Sequence, residues 1–466
     1  MTDLVIRGGT AVLPGGLRRA DISIEDGRIT GIDADAVAGR EEIDARGLVV
    51  LPGVIDVHLH FNEPGRTEWE GAATGSRALA AGGGTLFFDM PLNSTPCCVN
   101  AREIDRKRAA LEAASITDFG LWGGLVPGSV SEMAEMADHG VVGFKAFMCD
   151  SGLPEFPRAD DATLYDGLRE AARLGLPVAV HAENEELTRA LSRPRASEAS
   201  RGGLPRASEA SRGVRDFLDS RPVVAKLEAI QRALLFAGET RVSLHIVHIS
   251  TGRGVALAAE ARAKGVDVSA ETCAHYLYFT DEDVERLGAI AKCAPPLRDS
   301  MDVHELWHEL LEGRVDIVAS DHSPTEPARK AGDFFTAWGG IAGVQSTLPV
   351  LLDGGYHGRA LPLERIAALT AATPAHRFHI AGKGALVAGH DADLVLVDLE
   401  KAFTLRAEDL QQRHKTSPYV GQMFRGTVRR TIRRGETIFE DGRIIARGCG
   451  RFIRPEPPRG GQLGTI

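Results

Sequence analysis

From residue 50 onward the chain repeats one hydrophobic pattern eight times: a short apolar run, then a longer segment with apolar residues at helical spacing. The runs are 54–60, 85–90, 118–123, 141–147, 177–181, 242–248, 266–272 and 315–321. Between them lie segments such as AREIDRKRAALEAA, ATLYDGLREAARLG, KLEAIQRALLFAG and RGVALAAEARAKG, which read as amphipathic helices. Strands that are apolar at nearly every position are buried on both faces, as in a parallel sheet covered by helices. Eight such β-then-α units predict an α/β fold, a (β/α)8 barrel of the TIM type. A doubly wound open sheet is the competing arrangement.

The two ends have a different texture. Residues 1–50 alternate short apolar runs with turn residues, and Asp26-Gly27 between ISIE and RITGI reads as a hairpin turn. Residues 377–453 return to that texture. The expectation is a smaller, β-sandwich-like domain built from residues 1–50 and 377–453, a barrel over 51–376, and an extended or disordered tail over 454–466. The stretch PRASEASRG occurs at 194–202 and again at 205–213, predicting a mobile, solvent-exposed insertion after the fifth strand.

Composition narrows the function mainly by exclusion. The 466 residues are 43% hydrophobic and 25% charged, ordinary values for a soluble globular protein. A formal charge of −10 argues against nucleic acid or an anionic membrane as partner. No uninterrupted apolar run approaches ~18 residues, and the first residues lack the basic-then-apolar order of a signal peptide. Six cysteines without a C-x-x-C pair point to free thiols in a reducing cytoplasm.

The chemistry gathers where the apolar runs end. LPGVIDVHLHF (51–61) finishes with His58 and His60, which share a face in an extended strand. Two imidazoles side by side suit half a metal site, although two hydrogen-bonded strand histidines would fit the same pattern. The other runs end in Lys145, His181, the pair His245 and His248, and Asp321. Active sites in such barrels lie at the C-terminal ends of the strands, so agreement among five strands favours metal. His245 and His248 are three apart and face opposite ways; His248, nearer the strand end, is the expected ligand, and His245 is expected to pack behind it.

Lys145 lies within the apolar stretch GVVGFKAFM, where an unpaired ammonium is penalised and its pKa is lowered. It could pair with Asp321, act as a base, or react with carbon dioxide to form a metal-bridging carbamate. Asp321, in VDIVASDHSP, could ligate a metal and carry a proton, or simply cap the following turn.

The set VHLHF, GFKAFM, VHAEN, HIVHIST and SDHSP resembles the cyclic amidohydrolases: dihydroorotases, dihydropyrimidinases (hydantoinases) and allantoinases. The likeness covers nearly the whole chain. NEPGRTEWEG, DMPLNSTP, WGGLVPG, KCAPPLR, AWGGIAG and SPYVGQMFRG bring it nearest the allantoinases. The resemblance implies two divalent ions per subunit: His58, His60 and Asp321 on one, His181 and His248 on the other. Lys145, carried as N6-carboxylysine, would bridge them. Zinc is the expected metal, with manganese, cobalt or iron able to serve. Asp321 would be catalytic, and Asn62, Cys293, Ser323 and Gly339 are candidates for substrate contact.

Two departures bear on substrate. Dihydroorotases carry an arginine where this chain has Asn62, and hydantoinases place a tyrosine shortly after the bridging lysine, where Phe147, Met148 and Cys149 follow here. Both favour a neutral ring, allantoin, hydrolysed to allantoate. The alternatives are another cyclic-amide hydrolase and a non-catalytic assembly protein on the same barrel. The latter is expected to have lost metal ligands, whereas this chain keeps the full set. A homo-oligomer, a tetramer by analogy, is expected.

Overall fold

The computed structural model describes residues 2–33, 36–192 and 213–456. Eight parallel strands form its centre: β1 (Val54–Leu59), β2 (Gly84–Asp89), β3 (Asp118–Leu121, resumed at Gly123–Gly124), β4 (Phe144–Phe147), β5 (Val178–His181), β6 (Leu244–Ile246), β7 (Val268–Cys273) and β8 (Ile317–Ala319). Each coincides with one of the eight apolar runs. Every residue of β1, β2, β5 and β7 is buried, which explains why they are largely apolar; Asp56, His58, Asp89, His181 and Glu271 bring polar groups to the interior.

Parallel register runs through the set: Leu86 opposite Asp118, Phe144 opposite Gly123 and Val178, Leu244 opposite Val268, Glu271 opposite Ile317. The circle closes where Leu59 pairs with His322 and the His60 amide donates to the His322 carbonyl at 2.8 Å. An open doubly wound sheet would leave two edges, and closure removes them. The closing pair also draws the end of β1 against the segment carrying Asp321.

The intervening segments form helices with identifiable ends. Ala101–Ala114 starts at Asn100, whose side chain accepts from the Glu103 amide. Asp161–Leu174 starts at Asp160, which accepts from the Thr163 amide, and stops at Gly175 with φ 70°. These are ordinary N-caps and a left-handed C-cap. Val223–Thr240 and Gly252–Ala263 cover the barrel between later strands.

Both ends of the chain join one nine-stranded sheet, in which Leu394–Thr404 pairs antiparallel with Val49–Pro52. Asp26 and Gly27, with φ of 49° and 75°, form the tight turn between Gly16–Glu25 and Arg28–Asp33. A buried ion cluster ties this sheet to the barrel: Lys383 Nζ lies 2.9 Å from Asp118 on β3, 2.9 Å from Asp391 and 2.6 Å from Asp393.

The expected insertion at 194–213 lies outside the described residues up to 212, as does the tail beyond 456. Within 454–456, Arg454 bonds the Asp138 carbonyl and the Glu456 amide donates to His379 at 2.8 Å. Among the described residues no helix is long and apolar enough to cross a membrane, and all six cysteines are free thiols.

Candidate metal centre

The C-terminal mouth of the barrel holds a cavity of about 510 Å³ whose walls include His58, His60, His181, His248 and Asp321. His58 Nε2 lies 3.3 Å and His60 Nε2 3.6 Å from the same Asp321 oxygen. The His248 ring sits 5.3 Å from His58 and 4.6 Å from His181, centroid to centroid. Strands one, five, six and eight therefore converge as their sequence positions suggested. His248 and Asp321 have φ of 39° and 43°, a left-handed conformation that is uncommon outside glycine and collects at functional sites.

Behind the histidines stands a set of carboxylates. Glu271, fully buried on β7, accepts from His58 Nδ1 at 2.8 Å, from His245 Nε2 at 2.9 Å and from the His248 amide at 3.0 Å. A carboxylate only accepts, so His58 presents its N–H there and its Nε2 lone pair toward Asp321. His245, absent from the cavity wall, packs behind the site and also meets Ser269 Oγ at 2.8 Å. Glu183 accepts from His181 Nε2 at 2.8 Å and from Arg221, which leaves His181 Nδ1 as the ring's lone-pair nitrogen. Orienting partners of this kind are typical around metal-binding histidines.

Burial lowers the pKa of His60 and of His181 to about 4 and that of His248 well below the usual value. The rings are neutral near pH 7, the form that binds metal. Asp321 sits at about 2: burial pushes it upward, but His58 and His60 outweigh that push.

Lys145 on β4 is fully buried, and its ammonium has no hydrogen-bond partner. The Phe147 ring lies 5.3 Å from Nζ to the centroid. Burial lowers its pKa to about 8, against the opposing charges of Glu271 and Asp321. The unpartnered Nδ1 of His248, with the lone-pair nitrogens of His58 and His181 and the Asp321 carboxylate, is a donor set suited to cations; the Lys145 ammonium has no lone pair and can join it only after losing its proton.

The substrate-contact candidates divide. Cys293, Ser323 and Gly339 line the cavity, whereas Asn62 lies outside its wall and donates to the Pro324 carbonyl at 3.2 Å. Burial raises the Cys293 thiol to about 12, which disfavours the thiolate form. Asn93 was not singled out from sequence; it lines the cavity, has φ 70°, and donates to Ser323 Oγ at 3.3 Å.

The sequence profile of the amidohydrolase family matches residues 49–438. The chain belongs to this family. It is 61% identical over 457 residues to an allantoinase of Solibacter usitatus, covering 98% of each chain. It is 58% identical over 460 residues to an allantoinase of Rubrobacter xylanophilus, covering 98% of this chain and 99% of that one. Among solved amidohydrolase structures, an L-hydantoinase (dihydropyrimidinase) from Arthrobacter aurescens superposes with a TM-score of 0.91 at 33% identity, over 97% of this chain and 100% of that one.

The orienting residues of this amidohydrolase, Glu271 and Glu183, were not picked out from sequence. Each carried a signal, being an acidic residue in or just after a fully buried strand. No sequence rule says which distant histidine such a carboxylate will meet.

Proposed function

We propose that the chain hydrolyses the hydantoin ring amide of allantoin to give allantoate. The observation that carries this reading is the near-full-length identity to allantoinases, 61%, 58% and 52% in three relatives, joined to a convergent histidine–aspartate cluster at the barrel mouth.

His58, His60 and Asp321 would hold one divalent ion and His181 and His248 the second, with Lys145 as N6-carboxylysine between them. Zinc is our first assignment, with manganese, cobalt or iron as substitutes. Such ions, when bound, polarise a carbonyl and lower the pKa of water so that hydroxide is available near neutral pH. Forming the carbamate joins the neutral Lys145 amine to carbon dioxide and releases one proton. The unpartnered ammonium and its lowered pKa support that chemistry.

The remaining steps belong to the chain. Asp321 accepts the proton released as water attacks the ring carbonyl and delivers it to the departing ring nitrogen. Glu271 and Glu183 keep His58 and His181 in one tautomer throughout. Ser323, oriented by Asn93, and the backbone around Cys293 and Gly339 offer hydrogen bonds to the ring's ureide edges. We assign the protein to the cytoplasm, in keeping with six free thiols, and read it as a homo-oligomer, a tetramer by analogy.

The test is a side-by-side assay of metal-loaded protein on allantoin, hydantoin, dihydrouracil and dihydroorotate. Allantoin is expected to turn over fastest. Faster hydrolysis of any other ring would refute the assignment and favour the hydantoinase reading that the structural neighbours allow.

A further inference from the structure

Residues 335–340 form part of the cavity wall, and one lysine organises them together with Phe334. Lys292 Nζ donates to three backbone carbonyls of this segment: Phe334 at 2.6 Å, Phe335 at 3.1 Å and Ala337 at 2.5 Å. The Lys292 carbonyl in turn accepts from the Gly340 amide at 2.7 Å. An ammonium has three donors and no acceptor, so all its capacity is spent on one loop. Among the described residues it makes no salt bridge. The Phe217 and Phe334 rings lie 4.8 Å and 5.4 Å from Nζ, within cation–π range.

Carbonyl oxygens that converge on one point repel each other unless a cation gathers them. Lys292 is only 5% exposed, and burying an ammonium without a carboxylate is costly; the arrangement persists because the loop supplies every acceptor. A second lysine, Lys330, donates to the Gly340 carbonyl at 2.5 Å. At its far end the loop meets the metal side, where the Ser323 amide donates to Ile341 at 2.9 Å.

We propose that Lys292 is a positioning residue, locking the 334–340 segment over the cavity and thereby fixing the wall against which the substrate ring rests. This deepens the hydrolase reading and rests on it for the identity of the substrate. The charged groups acting on Lys292 are Arg221 and Asp333; Lys292 itself acts on Lys330. Burial lowers Lys292 to about 8, with Arg221 acting the same way and Asp333 opposing, and lowers Lys330 to about 7. The lock therefore weakens as pH rises through the range in which Lys292 and Lys330 lose their protons.

Three measurements test it. Lys292→Met should raise the KM for allantoin about tenfold or more while kcat stays within about threefold, since the lost bonds shape binding rather than the reacting groups. Chymotryptic cleavage between Phe334 and Phe335 should accelerate in the same variant without substrate. In the unmodified protein KM should climb above pH 8, and Lys292→Arg, charged throughout, should flatten that limb. Unchanged KM and cleavage in Lys292→Met, or a limb undiminished in Lys292→Arg, would overturn the proposal; if Lys292→Met fails to fold, the arginine comparison decides. A chain that ignores allantoin would refute the substrate reading alone, and the cleavage rates would still decide the lock.

Discussion

His58 and Glu271 are 213 residues apart in the chain, and their side chains meet at 2.8 Å behind the cavity. The same carboxylate holds His245 at 2.9 Å and the His248 amide at 3.0 Å, so one acid on β7 orients groups from β1 and β6. The acid itself is held well below the usual carboxylate range: burial pushes it upward, but the facing His58 and His245 rings outweigh that push.

Glu271→Gln keeps the size and one acceptor but puts an amide where three donors converge. Metal affinity should fall about 10–100-fold, the usual cost of losing an orienting partner, measured by competition with a chromogenic chelator. Undiminished affinity would refute the orienting role.

Lys145→Ala removes the proposed bridging group. Metal-centred stabilisation of a transition state is worth several kcal/mol, so kcat/KM should drop about a hundredfold or more. A short carboxylic acid added to the assay should restore part of the rate. Undiminished activity, or no rescue from any small acid, would count against a carboxylated lysine.

The metal-free protein should lose stability on acidification through the histidine range. The sign follows from linkage: His60, His181 and His275 have folded pKa values near 4, below the unfolded value of about 6.5. The unfolded chain therefore binds more protons at these histidines between those limits, so their contribution to stability is complete above pH 6.5 and falls as pH drops toward 4. Asp56 and Asp89, raised by burial to about 6, and Asp302 and Asp393, also raised by burial, oppose this, but His245, His248 and His379 are lowered by burial too, so the histidines outnumber them. Thermal melts from pH 7.5 to 4.5 should show a falling Tm. A flat or rising Tm would contradict the neutral, buried histidines.

Lys383→Met would leave Asp118, Asp391 and Asp393 facing one another where the terminal sheet meets β3. Breaking a buried ion cluster from one side typically costs about 3–5 kcal/mol. Denaturant titration should show a loss of that size; a loss below about 1 kcal/mol would mean that Arg434, which also bonds Asp118, is enough.

Much of this was legible in the sequence because barrel strands announce themselves. Runs such as 54–60 are apolar on both faces, and a histidine, lysine or aspartate at such an end stands out against them. His248 could be separated from His245 because side chains alternate along a strand. The closure that brings His60 to His322 and the meeting of Glu271 with His58 were not legible, since they depend on strands far apart in the chain. Lys292 was hidden for another reason. Its partners are backbone carbonyls 42–45 residues away, and carbonyls leave no mark in a sequence. Asn62 illustrates the reverse: its place in the motif led to the expectation of a substrate contact, yet its amide donates to the Pro324 carbonyl and it lies outside the cavity wall.

The most direct test of the metal centre is the number of ions bound per chain after reconstitution with bicarbonate and a divalent metal. The unmodified protein should hold about two, and Lys145→Ala about one or fewer. Fewer than about one ion in the unmodified chain would contradict the binuclear site and favour a non-catalytic role for the barrel.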